Sequence, residues 1–272
     1  MILADSGIVV IDLGAAEICI AAALILINAA ISVALKLNLE RRLLIASLRT
    51  VIQLLLIGFV LEWIFETTRW YLVALILLTM SLIAGFAAVS RTSRRFAGIR
   101  LSSVIAVTTS SWLITAIALT SIIRPERWYQ PQYCIPLLGM ILGNSLNGIS
   151  LGLDRLTAEL ADRRDRVELL LTLGATRWEA ANAPIREAVR TGMIPIINSM
   201  MVVGLVSLPG MMTGQLLAGA LPLGAVRYQI VIMFLIAAAT ALSTVLAVLL
   251  SYRKLFNSKH QFLYHEISRR SD

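Results

Sequence analysis

The chain has 272 residues, of which 58% are hydrophobic and 15% charged, with a mean hydropathy of +0.82. A water-soluble core of this length needs no such composition, so lipid is the solvent for most of the chain and little is left for an extramembrane fold. The net charge of +8 does not mark a nucleic-acid binder, because the basic residues sit between apolar stretches, where they encode topology.

The first 14 residues carry Asp5 and Asp12 and no Lys or Arg. They lack the basic leader of a cleaved signal peptide, and the first helix is expected to stay in the mature protein. A helix rises 1.5 Å per residue, so about 20 apolar residues cross a hydrocarbon core of roughly 30 Å. Seven segments reach that length: 8–35, 43–64, 70–90, 101–123, 133–153, 191–208 and 228–252. The expected fold is all-α, a polytopic membrane protein with one transmembrane domain over 1–272.

With the N-terminus outside, 20 of the 24 Lys and Arg fall on the inside, among them the tail 253–272, and only Arg69, Arg124, Arg127 and Arg227 fall outside. That asymmetry sets the orientation, with a cytoplasmic C-terminus. Trp63, Trp70, Trp128 and Tyr129 lie near the outer ends of their spans, as the aromatic belt requires.

Residues 191–226 hold no charge, yet 36 residues of helix would reach about 54 Å. Pro209 and Gly210 supply the expected break, since proline removes a donor and glycine relaxes the backbone. A helix is expected to run to about Leu208 and a re-entrant or interfacial segment to Pro222. Irregular backbone at membrane depth needs protein or a wet cavity around it, which places this segment beside a pathway or a subunit interface.

The one long polar segment, 154–190, is expected to be cytoplasmic and helical, broken near Gly174 and Pro184. Its charged first half turns apolar at Leu169, Leu170, Leu171 and Leu173 and ends in Gly174-Ala175-Thr176. The glycine reads as a helix stop, and Thr176 with Glu179 reads as a capping box opening a second helix. Leucines exposed on such a loop are unfavourable by roughly 25 cal/mol per Å² unless covered. A partner protein covers them economically; packing on the membrane surface or on the second helix is the alternative.

Polar groups inside a bilayer default to functional hypotheses. Gln53, Glu62, Asn144, Asn147 and Asn198, with Pro209 and Gly210, are the pathway candidates, although Glu62 sits near the outer interface and the amides could equally lock helix pairs. Gly139, Gly143, Gly148 and Gly152 form two small-xxx-small patterns that let helices approach closely. The methionines suit core packing better than a hard metal ion, and no ligand cluster identifies a metal site. Cys19 and Cys134 have no pairing signature.

Several long strings, GMILGNSLNGISLGLDR, LLLTLGATRWEA, MIPIINSMMVVGLVSLPGMMTGQLLAGA, RYQIVIMFLI and LRTVIQLLLIGFVLEWIF, resemble the FetB-type, or YbbM-like, ABC transporter permease family. That family is linked to iron export and has plant relatives implicated in aluminium tolerance. The likeness implies a permease homodimer in the inner membrane, bound to two copies of a separate ATPase that carries the ATP and its magnesium. It also implies a coupling role for the loop Glu168, Leu169, Leu170, Leu173, Gly174, Ala175 and Thr176. The Glu168-to-Gly174 spacing matches the coupling loop of ABC importer permeases, with Leu169-Leu170 in place of the usual small pair.

No GxxxxGK[ST] loop occurs, and Lys36, Lys254 and Lys259 lack the glycines one would need. No cofactor is expected in this chain. A membrane enzyme needs buried catalytic groups, yet both histidines, His260 and His265, lie in the tail. A self-contained secondary transporter would show matched broken helices in its two halves, and only one broken region is evident. The expected function is the membrane subunit of an ATP-driven exporter.

Overall fold

The computed structural model describes residues 14–66, 69–257 and 259–269. The expected start of the first span at Ile8, with the acidic N-terminal stretch, lies outside them. The elements run α1 (Ala15–Ala34), α2 (Glu40–Glu66), α3 (Trp70–Ser90), β1 (Arg94–Arg95), α4 (Ile99–Ile117), α5 (Pro131–Asp162), α6 (Arg164–Thr172), α7 (Arg177–Val202), α8 (Gly210–Leu217), α9 (Pro222–Leu255) and β2 (Ser268–Arg269). Among the described residues, six helices are long and apolar enough to cross a membrane: α1, α2, α3, α4 with the π-helical turn that continues it, α5 and α9. The protein is a polytopic all-α membrane protein, with one two-residue antiparallel pair, β1 with β2.

The described residues divide into two compact units, 14–66 with Gln215–Ala220, and 69–214 with 221–269. In the first, α1 and α2 are joined by a tight turn at Lys36 and Asn38, both in the left-handed region. Ser32 closes it, donating to Glu40 Oε2 at 2.8 Å and accepting from the Leu39 N–H at 3.0 Å. These helices expose most of their leucines and isoleucines, which only an apolar surround accommodates.

In the second unit α5 is the central helix, packed on α3, α4, α7 and α9. α3 and α4 are tied by Ser103 donating to the Gly85 carbonyl at 2.9 Å and Trp112 Nε1 donating to Ser81 at 2.9 Å. Both bonds are inside the bundle, where an unmet polar group is most costly.

Three boundaries differ from expectation. The fifth helix runs on past Leu153 to Asp162. Pro184 does not break the polar segment: α7 passes through both Pro184 and Pro195, because α5, α6 and α9 pack along it and hold its course despite the missing donors. The expected sixth span, 191–208, is the apolar end of this same helix, and it stops at Val202 rather than near Leu208. The stop comes from Gly204, at φ +82°, whose N–H donates to the Ser207 carbonyl at 2.9 Å to close a small turn. Pro209 instead starts α8, its carbonyl accepting from the Thr213 N–H at 3.0 Å. Pro222 likewise opens α9, as its preset φ and missing donor favour.

Candidate functional site

The α6–α7 hairpin is built by two complementary stop and start signals. Gly174, at φ +90°, ends α6 in a Schellman arrangement: its N–H donates to the Leu171 carbonyl at 3.1 Å and that of Ala175 to the Leu170 carbonyl at 3.0 Å. Two residues later Thr176 opens α7 with a complete capping box. Its Oγ1 accepts from the Glu179 N–H at 3.3 Å, and its own N–H donates to Glu179 Oε2 at 2.7 Å. The bonds from the Thr176 backbone and hydroxyl hold the Glu179 carboxyl below its ordinary range.

Around this turn the leucines divide. Val167 is buried and Leu170 half-buried, the latter lining a small recess between α6 and α7 with Ala180 and Pro184. Leu169 and Leu173, one helical turn apart, are 57% and 75% exposed. Nothing lies within 4 Å of a Cβ placed on Gly174. Glu168 turns sideways into an ion pair with Arg164 at 2.7 Å. The hairpin therefore presents a blunt apolar tip on a charged stem.

Beneath the hairpin is a cluster the sequence reading missed. Glu159, in the last turns of α5, has a side chain only 7% exposed and is gripped by Arg155 at 2.8 Å and Arg163 at 3.0 Å. Arg155 reaches on to Glu187 of α7 at 3.5 Å, and Arg94 pairs with Asp162 at 2.8 Å. The i, i+4 spacing of Arg155, Glu159 and Arg163 was the available signal.

Deeper in the second unit, α5, α7 and α9 cross at van der Waals contact. A Cβ on Gly148 would lie 2.6 Å from Thr244 Oγ1, and one on Gly192 would lie 2.6 Å from the Gly148 carbonyl. Gly152 faces Thr244 Cγ2 at 3.0 Å and Gly139 faces Met80 at 3.3 Å, whereas Gly143 meets nothing. Gly192, on α7, was not singled out from the sequence, although Ala188-x-x-x-Gly192 has the same small-xxx-small spacing as the glycines of α5.

The same three helices and the turn after α7 line a half-open cavity of about 450 Å³, bordered in part by Asn144, Ser207, Pro209, Gly210 and Gln229. Three pathway candidates meet there. Asn144 bonds back to the Met140 carbonyl of its own helix at 2.9 Å. The remaining candidates are elsewhere: Asn147 accepts from Arg91 at 2.7 Å, Asn198 is exposed on α7, and Gln53 and Glu62 are exposed on α2 of the other unit. Gln229, 6% exposed, was missed because it sits one residue past the start expected for the last span. Amides, hydroxyls and thioethers line the cavity, and no group of three or more His, Cys, Asp or Glu comes together among the described residues. Cys134 is buried and Cys19 exposed, both as free thiols.

These features can be set beside known proteins. A family described as Uncharacterised protein family UPF0014 matches residues 15–256. The chain belongs to the UPF0014 family. It is similar to a UPF0014 membrane protein of Synechocystis, 43% identical over 84% of this chain and 88% of that one. It is also similar to the probable iron export permease protein FetB of Escherichia coli, at 34% identity over 93% and 96% of the two chains. The protein ALUMINUM SENSITIVE 3 of Arabidopsis thaliana is 31% identical over 91% and 90%. No solved structure matches the chain. As a UPF0014 protein it matches, over most of its length, relatives named as a membrane protein and a permease, which agrees with the resemblance drawn from its motifs.

Proposed function

We propose that this UPF0014 protein is the membrane permease subunit of an ATP-driven exporter, working as a homodimer with a separate ATPase that binds ATP and magnesium. The observation that carries the reading is the exposed pair Leu169 and Leu173 at the tip of a hairpin braced by the Glu159 cluster. An apolar tip on a rigid charged stem fits a cleft in a soluble partner, and closure of that partner on ATP would be transmitted through α7 into the α5–α7–α9 crossing. Differential affinity of ATP for the open and closed arrangements supplies the shift between them. The distribution of Lys and Arg supports a cytoplasmic hairpin and a C-terminus inside a bacterial-type inner membrane.

The cargo we infer is a metal ion, iron being named for the Escherichia coli relative. The cavity beside Asn144 offers neutral donors, which do not make a resident site for a hard cation. Transit is what it fits, if iron is the cargo.

Co-purification tests the reading. Expressed with its ATPase, the wild-type chain should retain that subunit through affinity purification, and Leu170→Asp or Gly174→Pro should lose it. Retention by both variants contradicts the docking role. Unchanged cellular iron on expression of the intact pair contradicts the cargo.

A further inference from the structure

The chain does not leave the bundle at the end of α9. Phe256 pairs with Phe262 in an antiparallel bridge, and the Leu263 N–H donates to the Leu255 carbonyl at 2.9 Å. Asn257 organises the turn between them, its Oδ1 accepting from the N–H groups of Lys259 and Gln261 at 3.0 and 2.9 Å. The tail then continues to β2, which pairs with β1 in the α3–α4 connection.

This returning segment grips both arms of the α6–α7 hairpin. On the α7 side, the N–H of Arg177 is one of the donors that a helix start leaves without an intrahelical partner. It donates instead to His260 Nδ1, 83 residues away in sequence, at 3.0 Å, while Arg177 Nη1 donates to the Asn257 carbonyl at 3.2 Å. Acceptance at Nδ1 requires the neutral imidazole with its proton on Nε2. On the α6 side, the guanidinium of Arg164 lies 4.4 Å over the ring of Tyr264. A continuous chain of rings joins the two grips: Trp178 to Tyr252, Tyr252 to Phe256, Phe256 to Phe262 and Phe262 to Tyr264, with centroids 5.1 to 6.1 Å apart. His260 itself sits at φ +59°, a backbone state that a residue with a Cβ holds only where its surroundings impose it.

We propose that the C-terminal tail is a strap that sets the angle between α6 and α7, so that Leu169 and Leu173 are presented ready to dock, with His260 and Tyr264 as its positioning residues. The inference rests on the docking reading above. Without the strap, the angle at Gly174 rests on the turn's own backbone bonds, the recess at Leu170 and the Glu159 cluster, and open space around the turn leaves it room to widen. A partner that binds a hinged hairpin must first immobilise it, and affinity falls accordingly.

The test uses the full-length permease in lipid nanodiscs, titrated with its purified ATPase while ATP hydrolysis is followed. His260→Leu and Tyr264→Leu should each raise the ATPase concentration for half-maximal stimulation about 3- to 10-fold, in line with the loss of a helix cap or a cation–π contact. His260→Gln keeps an acceptor and Tyr264→Phe keeps the ring face, so both should stay within about twofold of wild type. Deuterium exchange over residues 164–180 should rise in the two leucine variants and not in the conservative ones. Leucine variants with wild-type half-saturation overturn the strap, as do conservative variants that fail as badly as the leucines. Leu173→Asp separates the two ideas: loss of ATPase stimulation in Leu173→Asp with no effect of the strap variants sinks the strap alone, and full stimulation in Leu173→Asp sinks the docking reading with it.

Discussion

Glu159 shows how much of the hairpin's rigidity depends on one side chain. Its carboxylate is nearly sealed while the two arginines that hold it are about half exposed, so solvent screens part of the pairing and the net worth of each bridge is modest. Removing the charge is another matter, because Arg155 and Arg163 would lose the buried carboxylate they share at the end of α5. We expect Glu159→Gln to lower stability by about 1–3 kcal/mol, the usual cost of leaving a buried polar partner unmet, measured by denaturation of the purified protein in bicelles. Gly192 sets a similar constraint in the membrane. A methyl there would meet backbone at the Gly148 carbonyl, which cannot turn aside as a side chain can. Gly192→Ala should destabilise by about 1–3 kcal/mol through overpacking, whereas Gly143→Ala, with open space around it, should change stability by less than about 1 kcal/mol in the same assay. Small-xxx-small spacing flags both Gly143 and Gly148, but spacing is silent about which of them faces a neighbour. That depends on helix rotation, which three-dimensional packing decides.

At the scale of elements, punctuation was the most legible part of the sequence. The Gly174 stop and the Thr176–Glu179 start depend on interactions within six residues, and local chemistry of that kind survives any tertiary context. The course of α7 was not legible, because Pro184 and Pro195 argue for a break and only packing against α5 and α9 argues against it. The end of that helix was misplaced for a related reason: Pro209-Gly210 is the louder signal, but the left-handed φ falls on Gly204. The capping box also predicts a pH response. Its bonds depress the Glu179 carboxyl, so its contribution is fully present above the ordinary carboxylate range and is lost as pH falls through the depressed value. Amide protection in the first turn of α7, corrected for intrinsic exchange, should therefore fall only in acid well below neutrality. Glu179→Gln should remove that pH dependence, and Thr176→Ala should weaken the first turn by about 1 kcal/mol. Protection that declines between pH 8 and 6 would contradict the assignment.

For the molecule as a whole, composition sufficed to show a polytopic helical membrane protein, and the six long apolar helices follow from it. The placement of the pathway candidates was less visible. Asn144, Pro209 and Gly210 converge on one cavity with Gln229, yet Asn147, Asn198, Gln53 and Glu62 have other surroundings, since a polar residue in an apolar run declares its depth and not its neighbours. The Glu159 cluster had a local signal, the i, i+4 spacing of Arg155, Glu159 and Arg163, whereas the C-terminal strap joins residues as far as 175 positions apart, Arg94 with Arg269, and such pairings leave little trace in periodicity. The proposed coupling to an ATPase therefore turns on the tip of the α6–α7 hairpin. Its most direct test places a photo-crosslinking amino acid at position 173 of the full-length chain, co-expressed with its ATPase. We predict a covalent adduct with the ATPase on irradiation that is absent when the same group stands at Leu151; labelling of lipid alone at position 173, with the ATPase present and unlabelled, would contradict it.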